Sequence, residues 1–151
     1  MKRVLFLCIG NSCRSQMAEG FARKYGSDVM EVASAGLAPA SIVQSLTYKV
    51  MEEKNIKLDG HFPKPLERVD VPSFNIVVNM SGFPLPTMTK VDIRTWRVQD
   101  PIGQPEDVYV AVRDQLEMLV MRLILELRRT AEAEARSRSS SPVQRSSPRA
   151  K

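Results

Sequence analysis

The apolar run Val4-Leu5-Phe6-Leu7-Cys8, with Ile9 after it, gives way to the small and polar stretch Gly10-Asn11-Ser12-Cys13-Arg14-Ser15. This junction narrows the folds open to the chain more than any other feature. An apolar run of that length is the signature of a strand buried on both faces. Beyond the polar stretch, Met17, Phe21 and Tyr25 recur at steps of four, the spacing of one helix face. The segment therefore reads as strand, tight loop and helix, the helix running from Gln16 to about Tyr25 with Gly26 as its stop.

Such a loop suits oxyanion chemistry. Where a loop bends into a helix N-terminus, several backbone N–H groups turn inward and hold an anion. The same field favours a thiolate over a thiol at Cys8, and Arg14 adds a full positive charge. An arginine grips two oxygens of a tetrahedral anion at once. Gly10 is expected to let the chain turn without a Cβ penalty, and Asn11 tolerates a left-handed conformation. A lone cysteine after a strand is more often a small buried hydrophobe. Here the strand, loop and helix context favours a nucleophile in an anion cradle.

The rest of the chain alternates in kind. Val29–Ala33 reads as a second strand ending in Ser34-Ala35-Gly36, and a helix is predicted from about Ile42 to Lys54 with Ser41 as its N-cap. Asp59-Gly60 marks a turn before the lone His61, which is given no role. Phe74–Met80 is a third, β-branched strand, and Thr95–Val98 a fourth that leads into Asp100-Pro101. Pro101 holds Asp100 extended at the strand's end. From Pro105 to about Ala135 an apolar stripe of Val108, Val112, Leu116, Leu119, Leu123 and Leu127 predicts a long helix packed on the core. Strands alternating with helices imply an α/β domain with a parallel sheet, with ligands at the carboxyl ends of its strands.

With 151 residues, 43% hydrophobic and 26% charged, the chain reads as one domain over residues 1–135. Residues 136–151 are a basic tail of serine, arginine and proline with no apolar face, expected to be disordered. That tail holds five of the basic residues and no acid, leaving 17 basic against 17 acidic residues in the body. A nucleic-acid surface on the body is therefore not expected. No signal peptide or membrane span is read, so no membrane partner is expected and the cytoplasm is the default. Two cysteines and one histidine are too few for zinc, and no metal or other cofactor is expected.

Cys8-Ile9-Gly10-Asn11-Ser12-Cys13-Arg14-Ser15 resembles the active-site loop of the low-molecular-weight protein tyrosine phosphatases. Extended through Gln16-Met17-Ala18-Glu19-Gly20, it resembles that of their relatives, the cysteine-dependent arsenate reductases. The resemblance runs from Lys2 to about Arg128. It implies a three-layer α/β fold whose four-stranded parallel sheet has the order 2-1-3-4, flanked by helices. It also implies roles: Cys8 as nucleophile, Arg14 and the amides of Ile9, Gly10, Asn11, Ser12, Cys13 and Ser15 around the oxyanion, and Asp100 as general acid. Ser15 would stabilise the Cys8 thiolate, Ser34 would support the loop by hydrogen bonding, and Cys13 would be the redox partner of Cys8. One arsenate reductase subgroup holds a potassium ion near Asn11, Glu19 and Ser34, but Lys64 stands where a fourth, acidic side chain is expected.

Hydrolysis of a phosphorylated protein or small phosphomonoester through a phosphocysteine is the leading expectation. Reduction of arsenate, with Cys13 or an external thiol such as glutathione or mycothiol, is the alternative. A non-catalytic oxyanion- or protein-binding module comes third. Ile102 and Gly103 stand where eukaryotic phosphatases carry cleft tyrosines, which favours the reductase. Met80 and Ser81 replace the further cysteines of thioredoxin-coupled reductases, which opposes it.

Overall fold

The computed structural model describes residues 1–139. Strands β1 (Lys2–Cys8), β2 (Met30–Gly36), β3 (Ile76–Asn79) and β4 (Asp92–Thr95) form one parallel sheet in the order β2-β1-β3-β4. Helices α1 (Arg14–Gly26), α2 (Ser45–Glu52) and α3 (Glu106–Ser139) connect or follow them. The expected order of strands is the observed one.

The apolar run of β1 has partners on both faces. Val4, Phe6 and Cys8 pack with Met17 and Phe21 of α1, Val50 and Met51 of α2, and Val112, Leu116, Leu123 and Ile124 of α3. Leu5 and Leu7 point the other way, into a smaller cluster with Phe74 and Val77, covered by Leu66 and Val71 from two short 3-10 turns and by Val69 between them. Side chains alternate across a strand, so a central strand covered on both sides is apolar throughout. Full burial of each large side chain contributes about 1.5–3 kcal/mol, and Leu5, Phe6, Leu7, Met17 and Phe21 are all fully buried.

α1 begins at Arg14, two residues before the expected Gln16, and β3 is Ile76–Asn79, shorter than the expected Phe74–Met80. Four further boundaries differ from the sequence expectations. β2 continues to Gly36, because Gly36 pairs with Cys8. α2 begins at Ser45 after Gln44, not after Ser41, since residues 37–44 spend their backbone bonds on the loop after β1. β4 is Asp92–Thr95, in register with Ile76–Asn79, and Thr95–Val98 is not the fourth strand. The apolar signal at Trp96 and Val98 comes from packing in the larger core, where Trp96 lies against Phe6 at 5.9 Å between ring centroids. α3 runs four residues past Ala135 to Ser139, and its last turns are exposed. The remainder of the expected tail, 140–151, lies outside the described residues. Among the described residues no helix is long and apolar enough to cross a membrane.

Candidate active site

The loop between β1 and α1 sits at the carboxyl edge of the sheet with every carbonyl from Cys8 to Cys13 turned away from its centre. The Cys8 oxygen accepts from Leu37 N, that of Ile9 from Ala38 N, and that of Gly10 from Ala40 N, at 2.8–3.1 Å. The Asn11 oxygen accepts from Gln16 Nε2 at 3.1 Å. The Ser12 oxygen accepts from Gln44 N and Thr47 Oγ1, and that of Cys13 from Met17 N. A peptide plane whose carbonyl points out carries its N–H in. The amides of Gly10, Asn11, Ser12 and Cys13 donate to no protein acceptor among the described residues. They form a concave set of donors at the start of α1, which is what a tetrahedral anion requires.

Two residues let the loop close this tightly. Asn11, fully buried, holds φ at 50°, the left-handed conformation foreseen for it; Gly10 has no such φ. Gly36 lies so close that a Cβ there would meet the Ile9 oxygen at 2.6 Å and Asn11 N and Cβ at 3.0 Å.

Within this frame Cys8 Sγ lies 2.8 Å from Ser15 Oγ. Ser15 Oγ accepts from Asn11 Nδ2 at 2.7 Å, which leaves its own proton for the sulfur, the bond that best stabilises a thiolate. Arg14 is buried, and its Nη1 donates to the oxygens of Met80 (2.6 Å) and Val98 (3.0 Å). Its Nη2 stands 3.6 Å from Asp100 Oδ2. Asp100 is held by a bond from Ile102 N to Oδ1 at 3.1 Å, with its side chain 39% exposed. Arg14 and Asp100 are thus brought together from separate elements, and Cys8 is held by Ser15 within the loop that leads to Arg14.

Two expected supporting roles take a different form. Ser34 Oγ donates to Glu19 Oε1 at 2.5 Å and not to the loop, because its place on β2 faces α1. Cys13 is buried, and its sulfur contacts Ser12 Oγ and the Tyr109 hydroxyl, where burial pushes the thiol's pKa up. The residues matched to a potassium site do not fit one. Glu19 Oε2 takes two bonds from Arg23, Glu19 Oε1 takes the Ser34 proton, and Lys64 lies close enough to Glu19 to feel its charge.

Sequence reading missed three residues that hold the loop. Gln16 Nε2 bridges the Asn11 and Phe62 oxygens while its Oε1 meets His61 Nδ1 at 2.8 Å. Lys64 N donates to Asn11 Oδ1 at 2.8 Å. The available signal was Gln16 itself, an amide in the first turn of a helix whose neighbours are all buried. Burial holds the His61 pKa below its ordinary value.

Beside Arg14 an open cleft of about 870 Å³ runs between residues 79–85 and 93–99.

The sequence model of the low molecular weight phosphotyrosine protein phosphatase family matches residues 3–133. A glutaredoxin arsenate reductase from Synechocystis is 36% identical over 131 residues, covering 84% of this chain and 99% of that protein. An arsenate reductase from Staphylococcus aureus is 32% identical over 79% of this chain and 93% of its own length. Among solved structures, an arsenate reductase in its phosphate binding state superposes with a TM-score of 0.76 at 34% identity, covering 84% of this chain and 99% of that one. An arginine phosphatase from Geobacillus stearothermophilus superposes with a TM-score of 0.73 at 28% identity, covering 89% and 97%.

Proposed function

The chain belongs to the low molecular weight phosphotyrosine protein phosphatase family, and within it we propose that it reduces arsenate to arsenite, with Cys8 as nucleophile and an external thiol as reductant. The observation that carries this reading is the cradle of outward carbonyls and inward amides around Cys8, in a chain similar over most of its length to proteins named arsenate reductases. This reverses the order of the sequence expectations, in which ester hydrolysis led.

Arg14 and the loop amides would hold the arsenate oxygens, and the Ser15 hydroxyl would stabilise the Cys8 thiolate. Cys8 sulfur attacks arsenic(V), and hydroxide leaves as water with the proton of Asp100. An external thiolate then attacks Cys8 sulfur. The S–As bond breaks, its electron pair departs with arsenic as arsenite, and a mixed disulfide remains on Cys8. A second equivalent of thiol frees Cys8, so two thiols are oxidised for each arsenic(V) reduced. Cys13 does not suit the reductant's part, since its sulfur is turned to Ser12 and the Tyr109 hydroxyl of α3 and burial pushes its pKa up, away from the thiolate.

Phosphomonoester hydrolysis is a second reading, favoured because the described residues offer no cysteine besides Cys8 and Cys13, both of them buried. It uses the same groups: Cys8 attacks phosphorus, Asp100 protonates the leaving oxygen, and the Asp100 carboxylate then activates water. Purified protein assayed in parallel with arsenate plus glutathione and with an aryl phosphate separates the two. Arsenite formation lost in Cys8→Ser, with little ester turnover, supports reduction. Ester hydrolysis lost in Cys8→Ser and Asp100→Asn, without arsenite, overturns it in favour of the phosphatase.

A further inference from the structure

The cleft beside Arg14 is not explained by the oxyanion, which the loop amides surround. Its lining includes Met80, Phe83 and Leu85 on one wall and Trp96 and Arg97 on the other, and it is bordered by Arg14. No acidic residue lines it. The two arginines differ in kind. Arg14 is buried and bonded to the Met80 and Val98 oxygens. Arg97 is exposed and pinned only through its backbone, whose oxygen accepts from Gln115 Nε2 at 3.0 Å. Its guanidinium makes no hydrogen bond or ion pair among the described residues. The cleft therefore offers one uncommitted cation above an apolar wall that carries the exposed Phe83.

Its position is as informative as its charge. Asn79 pairs in register with Leu7, and Met80 N donates to the Leu7 oxygen at 2.7 Å, so the end of β3 lies next to the end of β1 and its Cys8. A molecule in the cleft lies on the Met80 side of Cys8. The volume, about 870 Å³, is that of a small-molecule site.

We propose that this cleft receives the reducing thiol as a small anionic peptide thiol of the glutathione class, and that Arg97 selects it by pairing with a carboxylate. The proposal rests on the reductase reading for its purpose. The peptide's methylene and amide groups lie on Phe83 and Leu85, a carboxylate faces Arg97, and the thiolate approaches Cys8 sulfur past Arg14. A neutral thiol reaches Cys8 without that guidance.

The test uses the full chain and does not require arsenate. Reduced protein is treated with oxidised glutathione or with neutral bis(2-hydroxyethyl) disulfide. In either case Cys8 thiolate attacks one sulfur, the S–S bond breaks, one thiolate leaves, and a mixed disulfide forms on Cys8. Peptide mapping by mass spectrometry gives the rate at Cys8 for each reagent. The ratio of the glutathione rate to the neutral rate should fall about threefold in R97A and about tenfold in R97E, since reversal adds a repulsion to the lost attraction, and R97K should restore it. A ratio in R97E within twofold of the parent, or a Cys8 that resists both disulfides, overturns the proposal. So does an unmoved ratio in R97E with weakened turnover of an acidic phosphopeptide, which assigns the cleft to that ligand instead. Arsenite production with glutathione is read separately: a fallen ratio without arsenite supports the cleft and removes the reductase reading.

Discussion

Replacing Gly36 by alanine tests whether the sheet edge shapes the cradle. An added Cβ would stand 2.6 Å from the Ile9 oxygen and 3.0 Å from Asn11 N and Cβ. The optimal separation of non-bonded carbon atoms is wider by about 0.9 Å or more. The obstructing atoms are backbone, and the Ile9 oxygen is itself held by Ala38 N at 2.8 Å, so no flexible side-chain end can yield. Overpacking of this kind destabilises by about 1–3 kcal/mol. The entropy that alanine removes from the unfolded chain returns about 0.4–1 kcal/mol. The net loss of about 1–2 kcal/mol should lower Tm by about 3–6 °C for a domain of this size. The effect on the reaction should exceed the effect on stability, because the atoms pushed aside carry the donors. A shift of under 1 Å in an anion-binding group is expected to lower kcat/KM by about tenfold to hundredfold. The assay measures kcat/KM for arsenate with glutathione and for an aryl phosphate, inhibition by inorganic phosphate, and Tm on the same preparation. A G36A protein with its lowered Tm but with kcat/KM and phosphate inhibition within twofold of the parent would refute the coupling of Gly36 to the loop.

Three further outcomes are expected. His61 is held neutral by burial, its pKa below 6.5. The unfolded chain therefore takes up the proton first, and stability present above pH 6.5 is lost as pH falls through that value. The drop in Tm between pH 7.5 and 5.5 should be smaller in His61→Gln. Cys13 runs the other way: burial raises its pKa above 9.0, so stability present below that pH is lost as pH rises past it. Tm between pH 8 and 10 should fall more in the parent than in Cys13→Ala. Arg113 is buried and joins α3 to α2 through bonds from Nη1 to Val50 O (3.0 Å) and Glu53 Oε1 (2.6 Å). Its replacement by methionine leaves a helix-end carbonyl without that donor and should destabilise by about 1.5–3 kcal/mol in thermal or urea unfolding.

The β1–loop–α1 segment was legible because local signals agree there. An apolar run covered on both faces, a left-handed Asn11 and a four-residue helical step each point to the same structure. The strand order followed from resemblance. What local pattern could not carry was the work of distant backbone. Ser41 looks like an N-cap, yet the Gln44 amide is drawn to the Ser12 oxygen, 32 positions earlier in the chain, and α2 starts after it. Trp96 and Val98 look like a strand because they are apolar, while hydrogen-bond register with β3 places β4 before them. Ser34 carries the right residue type for the loop but bonds Glu19, because the pleat of β2 turns it toward α1. The hold of Gln16, His61 and Lys64 on Asn11 joins three segments and leaves no periodic trace in any of them.

The outward bonding of the loop carbonyls has a consequence for portability. The eight residues Cys8–Ser15 look like a self-contained cassette, but their peptide planes are set by Leu37, Ala38, Ala40 and Gln44 from the β2–α2 connection, by Thr47 from the first turn of α2 and by Gln16 from α1. Moved into another strand–helix junction without those donors, the carbonyls would be free to rotate inward and oppose the anion they now leave unhindered. Transplanting the site means carrying β1, α1, Gly36 and the connection through Thr47 as one unit. By the same logic, sequence change is tolerated within the connection as long as its amide hydrogens stay where they are.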